Sequence, residues 1–213
     1  MKTIYIVGGD GFARECYQNL LWSAEQNPEI QFGGFVGHNG YKVDFKSFNH
    51  LFVGDLSEIG FKENDYAVIG AGYPELRKKI YNDLKAKGVK LHNLIPPFVN
   101  ITETVEIGEG NVFAAPCTPS VHVKIGNGNV FNGDVVIGHD TVIGDFNFFG
   151  PKSQVLGNVQ VGNMNTVGAA SLLLPKAKIG SNNKIAPLSA VYKGCKNNGY
   201  YIGNPALRVG DVQ

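Results

Sequence analysis

Of the five histidines in the sequence, His139 has the setting most suited to chemistry. Asp140 follows it directly, a carboxylate able to hold one ring nitrogen and so fix the imidazole tautomer. His139 also takes the third place of a six-residue step, an outward-facing place that core packing does not require. Gly157 lies 18 residues further on, one coil of the repeat derived below, so its N–H is expected beside the imidazole with no side chain over it. A base of near-neutral pKa next to an open N–H is what acyl transfer to an amine or a hydroxyl needs. The base takes the acceptor's proton while the N–H holds the developing oxyanion. The other histidines offer less. His122 and His139 are the only two in the repeat, 17 apart with no third at a regular spacing, so no zinc site is expected. His38, His50 and His92 precede the repeat.

The repeat that positions these residues runs from Ile101 to about Lys196. Large apolar residues start step after step of six: Ile101, Ile107, Phe113, then Ile125, Phe131, Ile137, Ile143, Phe149 and onward to Ile185 and Val191. Only Pro119 breaks the series of sixteen steps. The fifth place is small, as at Asn111, Cys117, Asn129, Ser153, Ala177 and Cys195, and glycine often follows the apolar place, as at Gly108, Gly126, Gly138 and Gly150. A strict hexapeptide period marks a parallel β-helix. Each six makes a short strand and a corner, three sixes close a triangular coil of about 18 residues, and coils stack about 4.8 Å apart. The apolar place fills the prism, and glycine or asparagine is expected to give the corners their backbone freedom.

Ahead of the prism the chain alternates strands and helices, which describes a small α/β domain over residues 1–95. Strands are expected at Thr3–Val7, 31–36, 51–55, 66–69 and 91–95, with a loop over 39–50. Gly8-Gly9-Asp10-Gly11-Phe12-Ala13 follows the first strand and opens a helix whose Ala13, Cys16, Leu20 and Ala24 recur at three and four. Strand, glycine-rich turn and helix begin a nucleotide-binding βαβ unit, although Gly8-x-x-Gly11 lacks the third glycine of the full motif. A second helix starts at Pro74, buries Leu76, Ile80 and Leu84, and ends at Gly88. Arg77-Lys78-Lys79 on it reads as a solvated face. The period stops after Val191, so Lys196–Gly199 reads as a polar loop and Tyr200–Ala206 as a cap on the open end of the prism.

The chain has 213 residues and a net charge of +1, which leaves no footprint for nucleic acid or a membrane surface. Three cysteines without metal spacing fit a reducing, cytoplasmic compartment, with Cys117 and Cys195 as packing residues. The strand-like start of the sequence leads to no expected signal peptide, and the sequence has no run of about 18 apolar residues.

Ile4-Tyr5-Ile6-Val7-Gly8, the Glu75–Tyr81 run, Asn93-Leu94-Ile95, Gly138-His139-Asp140, Gly157-Asn158-Val159 and Gly203-Asn204-Pro205-Ala206 together resemble bacterial sugar acyltransferases of the sialic-acid and bacillosamine biosynthesis type. The likeness covers roughly residues 3–209. It implies a Rossmann-like domain over residues 1–95, a left-handed hexapeptide β-helix over 96–196 and a capping tail over 197–213, assembled as a homotrimer with sites between subunits. The left hand comes from the resemblance alone, since general crossover rules favour a right-handed one. The implied activity is transfer of acetyl from acetyl-CoA to the amino group of a nucleotide-linked 4-amino-deoxysugar. Sugar O-acetylation of the sialic acid type and a non-catalytic trimeric scaffold are the alternatives. In that family His139 would be the general base, Asp140 its partner and Gly157 the holder of the acetyl oxygen. Gly8, Gly11, Phe12, Gly37, His38, Gly72 and Asn132 would hold the nucleotide sugar. Gly157, Ala169, Pro187, Gly203, Asn204 and Pro205 would line the acyl-CoA groove, with no metal. Relatives often carry His in place of Phe12, acidic residues in place of Gly37-His38 and a second His in place of Phe148.

Overall fold

The computed structural model describes residues 1–39, 46–114 and 116–212. Its first part is a five-stranded parallel sheet made of β1 (Lys2–Val7), β2 (Ile30–Gly37), β3 (Phe52–Asp55), β4 (Asp65–Ile69) and β5 (Lys90–Leu91), in the order β3-β2-β1-β4-β5. Helix α1 (Gly11–Gln26) follows β1 and helix α2 (Pro74–Ala86) follows β4. The loop expected over 39–50 lies partly outside the described residues, and its described end belongs to a 3-10 helix at Lys46–Leu51. The strand order reverses between β1 and β4, and such a reversal opens a crevice at the carboxyl ends of the two strands. Here the backbones touch. A Cβ on Gly8, whose φ is +149°, would lie 2.5 Å from the Gly70 carbonyl oxygen, so only glycine fits.

Arg77 corrects the sequence reading. Lys78 and Lys79 are exposed, but Arg77 is fully buried and takes the place in the stripe of α2 that Leu76, only half-buried, was expected to fill. Its Nη1 donates to the carbonyls of Ile69 (2.7 Å) and Ala71 (2.8 Å), its Nε to Gly128 (2.8 Å) and its Nη2 to Gly110 (3.1 Å). No carboxylate balances it in this set, so four carbonyl dipoles stand in for lost water. Burial lowers its pKa to about 10, which leaves it protonated at neutral pH. The guanidinium therefore ties the turn after β4 to a corner of the prism.

The second part is a triangular prism of three parallel sheets. The first face carries the rungs Val112–Phe113, Val130–Phe131, Phe148–Phe149, Thr166–Val167 and Lys184–Ile185; the second runs from Cys117–Pro119 to Ala190–Val191, and the third from Glu106–Ile107 to Gly194–Cys195. Rung pairing is 18 residues apart through most of its length, as Phe131 with Phe149 and Ile137 with Val155. These repeated parallel ladders are consistent with the left-handed hexapeptide helix. The apolar places point inward as expected. Phe113, Phe131 and Phe149 stack along the axis with centroids 4.7 and 5.1 Å apart.

The corners meet the expectation only in part. The left-handed conformation falls at the fourth place, where Gly110, Gly128, Asn158 and Asn182 stand as expected, but other residues from His122 to Leu188, such as Asp140, Phe146 and Leu188, take it too, with φ between 53° and 66°. That costs roughly 1 kcal/mol or more per residue, offset by a backbone bond to the coil before, such as Asp140 N–H to Val121 O (3.1 Å) and Asn158 N–H to His139 O (2.8 Å). The second-place glycines are required by closeness. A Cβ on Gly138, Gly150 or Gly168 would lie 2.5, 2.8 or 2.4 Å from the backbone nitrogen of Gly157, Ala169 or Pro187 in the next coil. The fifth-place asparagines form a buried ladder. Each Oδ1 of Asn93, Asn111, Asn129, Asn147, Asn165 and Asn183 accepts the backbone N–H of the residue stacked beneath it, at 2.8–2.9 Å.

Two ends of the repeat differ from the sequence reading. Asn93 heads the ladder, and Leu94 pairs with Val112 of the prism, so the strand expected over 91–95 divides between sheet and prism. At the other end the spacing shortens to 16, with Ile179 opposite Cys195 and Ile185 opposite Tyr201. Cys195 thus fills an inward apolar place instead of a fifth place. The expected polar loop holds over residues 196–198, which form a turn, but part of the expected cap is strand: Gly199–Ile202 extends the first face, residues 203–206 turn, and Leu207–Asp211 pairs back on that strand antiparallel. Tyr201 is buried against the core. No helix among the described residues is long and apolar enough to cross a membrane.

Candidate active site

His139 leaves the prism at the corner between the second and third faces, two residues after the rung Val135–Ile137. The left-handed backbone of Asp140, φ 57°, turns its carboxylate back, and Oδ2 lies 2.7 Å from His139 Nδ1. A carboxylate only accepts, so Nδ1 carries the shared proton and Nε2 keeps a lone pair. The two side chains are 56% and 50% exposed, so water screens the pair and its value is orientation more than energy. Nε2 faces Gly157: a Cβ there would lie 2.6 Å from it. The Gly157 carbonyl accepts from Lys176 N–H (3.1 Å), while the Gly157 N–H has no acceptor among the described residues. A lone pair and an open backbone donor thus stand side by side. His122 makes no bond to them; its backbone N–H donates to Thr104 Oγ1 (3.2 Å). No cluster among the described residues could hold a metal ion.

Two cavities adjoin the crevice between β1 and β4. One of about 270 Å³ is lined by Gly8, Gly9, Asp10, His38, Ala71, Leu76 and Ile80. His38 is buried there, with Nε2 2.8 Å from Asp83 Oδ2 on α2. The other, about 340 Å³, lies between the α/β part and the first face of the prism, lined by Asp10, Phe12, Glu15, Gly72, Tyr73, Pro74, Asn132, Phe148 and Thr166. Asn132 Oδ1 accepts from Gly133 N–H (2.7 Å), which leaves its amide protons for the cavity. Burial first, and the Asp10 charge second, raise the Glu15 pKa. Asp10 borders both cavities and caps α1, its Oδ1 accepting from Phe12 N–H (3.0 Å).

Gly11 and Gly37 line neither cavity. A Cβ on Gly11 would meet only the Arg14 guanidinium at 3.6 Å, and one on Gly37 would meet Asp55 Oδ2 of β3 at 3.3 Å. Ala169 and Pro187 stack along the corner between the first and second faces, the corner of Asn132. Gly203 joins them through Ser189 Oγ (3.1 Å to its N–H) and Ala190 N–H (2.9 Å to its carbonyl), ahead of the Asn204–Pro205 peptide. A whole face, about five extended residues or roughly 16 Å, separates this corner from His139 and Gly157. The chain therefore places the expected residues other than Gly11 and Gly37 at the corner of His139, in two cavities and at a second corner, without joining the first to the rest. Asp10 was legible as a helix cap. Asp83, Tyr73, Glu15 and the buried role of Arg77 carried no signal, because each depends on contacts across elements.

Comparison with protein-family models finds no match, and comparison with curated proteins finds none either. Solved structures are similar over nearly the whole chain. One is a histidine-to-asparagine mutant of perosamine N-acetyltransferase from Caulobacter crescentus in complex with CoA and GDP-perosamine (TM-score 0.87, 24% identity, covering 99% of this chain and 98% of that one). Another is the acetyltransferase domain of PglB from Neisseria gonorrhoeae in complex with acetyl coenzyme A (0.86, 19%, 98% and 99%). A third is WeeI from Acinetobacter baumannii (0.82, 22%, 98% and 100%). At these identities the likeness is one of fold, from the parallel sheet through the prism to the final hairpin.

Proposed function

We propose that the protein is an acetyl-CoA-dependent N-acetyltransferase whose acceptor is the amino group of a nucleotide-linked amino-deoxysugar. The observation that carries this reading is the lone pair of His139 Nε2 beside the unpaired N–H of Gly157. As the acceptor amine attacks the thioester carbonyl, Nε2 takes the amine proton and the Gly157 N–H steadies the oxyanion. Collapse releases the thiolate of CoA, and the imidazolium returns the proton to it. Asp140 holds the ring and balances the transient charge. The fold relatives bound to CoA, acetyl-CoA and GDP-perosamine support the substrate pair.

The acceptor would lie across the Rossmann-like domain, residues 1–95, with the nucleoside in the His38 cavity and the sugar in the cavity of Phe12, Gly72 and Asn132. Gly8 lets the chain pass close at the crevice. Acetyl-CoA would follow the corner of Ala169, Pro187 and Gly203–Pro205 along the β-helix of residues 96–196 and its tail, 197–213. Since that corner lies a full face away from His139, a neighbouring copy must bring its own catalytic corner to it, which supports a homotrimer. Apolar side chains along the second face and its corners, Val121 (45% exposed), Val136 (44%) and Leu188 (77%), suit such contacts. Three free buried cysteines fit a cytoplasmic enzyme. Thiol release from acetyl-CoA with a panel of GDP-, UDP-, dTDP- and CMP-linked amino sugars and with sialic acids tests the reading, alongside mass by light scattering. Release limited to the hydroxyl acceptors would refute N-acylation, and a fully active monomer would refute the shared site.

A further inference from the structure

We propose that His38 and Asp83 form a pair that reads the nucleoside end of the acceptor. Nδ1 of His38 accepts a hydrogen bond from a ligand N–H or O–H, and Asp83 is the positioning residue that keeps Nδ1 an acceptor. The inference rests on the nucleotide-sugar reading above.

His38 follows β2 at the carboxyl edge of the sheet, beside the crevice where the strand order reverses, the usual ligand position in such sheets. It is 5% exposed. Its Nε2 lies 2.8 Å from Asp83 Oδ2, and because the carboxylate can only accept, the proton stays on Nε2. Nδ1 then holds a lone pair, and among the described residues nothing bonds to it. A buried ring with one nitrogen fixed and the other unpaired, lining a cavity of about 270 Å³, is a half-made hydrogen bond.

The remaining walls say what completes it. Ala71, Leu76 and Ile80 are apolar and suit a flat ring or a sugar edge. No lysine or arginine is among the residues that line the cavity, and the end of α1 is capped by Asp10 itself, so a phosphate there would face a carboxylate without a countercharge. The occupant is therefore the uncharged part of the nucleotide. Its donor is either an imide-type N–H of the base or a ribose hydroxyl. A buried acceptor discriminates strongly against an analogue that lacks the donor, since the group is then left unpaired.

The experiment is calorimetric titration of the full chain with GDP, UDP, dTDP and CDP, and then with the N-methyl-base and 2′-deoxy analogues of whichever binds tightest. Asp83→Asn offers an amide N–H to Nε2 and so moves the ring proton to Nδ1, turning the acceptor into a donor. We expect about five- to twentyfold weaker binding of the preferred diphosphate to Asp83→Asn and to His38→Ala, with acetyl-CoA affinity within twofold of wild type. Nitrogen-15 shifts of His38 should report the Nε2–H tautomer in wild type and Nδ1–H in Asp83→Asn, which loss of packing alone would not produce. One analogue should bind wild type weakly and lose that deficit in His38→Ala: the methylated base if the base is read, the deoxyribose if the hydroxyl is. If a diphosphate binds wild type and both variants alike, within twofold, the pair is structural and this inference falls while the acceptor assignment stands. If none binds wild type while acetyl transfer proceeds to a sugar without a nucleotide, both fall.

Discussion

Gly157→Ala is the substitution whose consequence the geometry fixes most closely. An alanine Cβ would lie 2.6 Å from His139 Nε2, 2.8 Å from Cε1 and 3.1 Å from Cδ2, against about 3.5 Å for an unstrained contact. The ring must withdraw by about 0.9 Å along the Nε2 direction. It is held at the opposite nitrogen by Asp140, so it swings out of line or breaks that bond. A displacement of about 1 Å at a reacting group costs on the order of 10²-fold in rate. The backbone itself accepts alanine, because Gly157 is absent from the residues with left-handed φ, so the melting temperature should stay within a few degrees. The assay is initial-rate thiol release under saturating acetyl-CoA with the true acceptor. We expect kcat to fall about 10²-fold, and we expect Gly157→Ala to cost under threefold in a His139→Ala background, where no ring remains to displace. A comparable loss in both backgrounds would mean the methyl acts by covering the Gly157 N–H. A wild-type kcat in the single variant would refute the juxtaposition of base and donor altogether.

His139→Ala should lower kcat by about 10²–10⁴-fold with little change in acetyl-CoA binding, and Asp140→Asn by less, since it orients the base without taking the proton; steady-state kinetics of the two variants checks both. Arg77→Met removes the donor shared by four buried carbonyls and should destabilise the fold by about 3–5 kcal/mol in urea unfolding, whereas Lys78→Met and Lys79→Met, both exposed, should stay near wild type. Half-buried His92 has its pKa lowered to about 4, by burial first and Lys2 second. The unfolded chain therefore gains a proton as pH falls below about 6.5 while the fold resists until about 4. This term of stability is complete above that window and is lost downward through it. With its partial exposure it should amount to about 1 kcal/mol at pH 5, and His92→Gln should flatten the acid side of a melting-temperature profile by that much.

The prism was legible because a six-residue period is a property of the chain alone: every inward first-place residue from Phe113 to Val191 except Pro119 announces itself by type and spacing. The corner was legible for the same reason, since a coil of 18 residues puts Gly157 under His139 by counting. What counting could not give is anything set by a partner elsewhere in the chain. Arg77 has the composition of a solvated run, and only the approach of the Gly110 and Gly128 carbonyls makes its burial possible. The asparagine places looked like flexible corners, yet their amides bond from coil to coil. The pairing of Leu94 with Val112 and the shortened step before Cys195 both show the repeat running on past the point where its apolar letters stop.

The same distinction bears on the site. Residues placed by the period alone, such as His139, Asp140 and Gly157 one coil on, were found by spacing, whereas those proposed above to hold the acceptor are scattered over the ends of β1 and β2, α2 and a prism corner, and the chain alone does not bring the two sets together. Arg77 connects them indirectly, because its bonds to Ile69 and Ala71 fix the turn that walls both cavities while its bonds to Gly110 and Gly128 fix that turn against the prism. In the assembly proposed above, the stacked coils would set where a neighbour's His139 corner meets the cavity of Asn132. Chemistry in this architecture is written into the period, and specificity into the contacts that interrupt it.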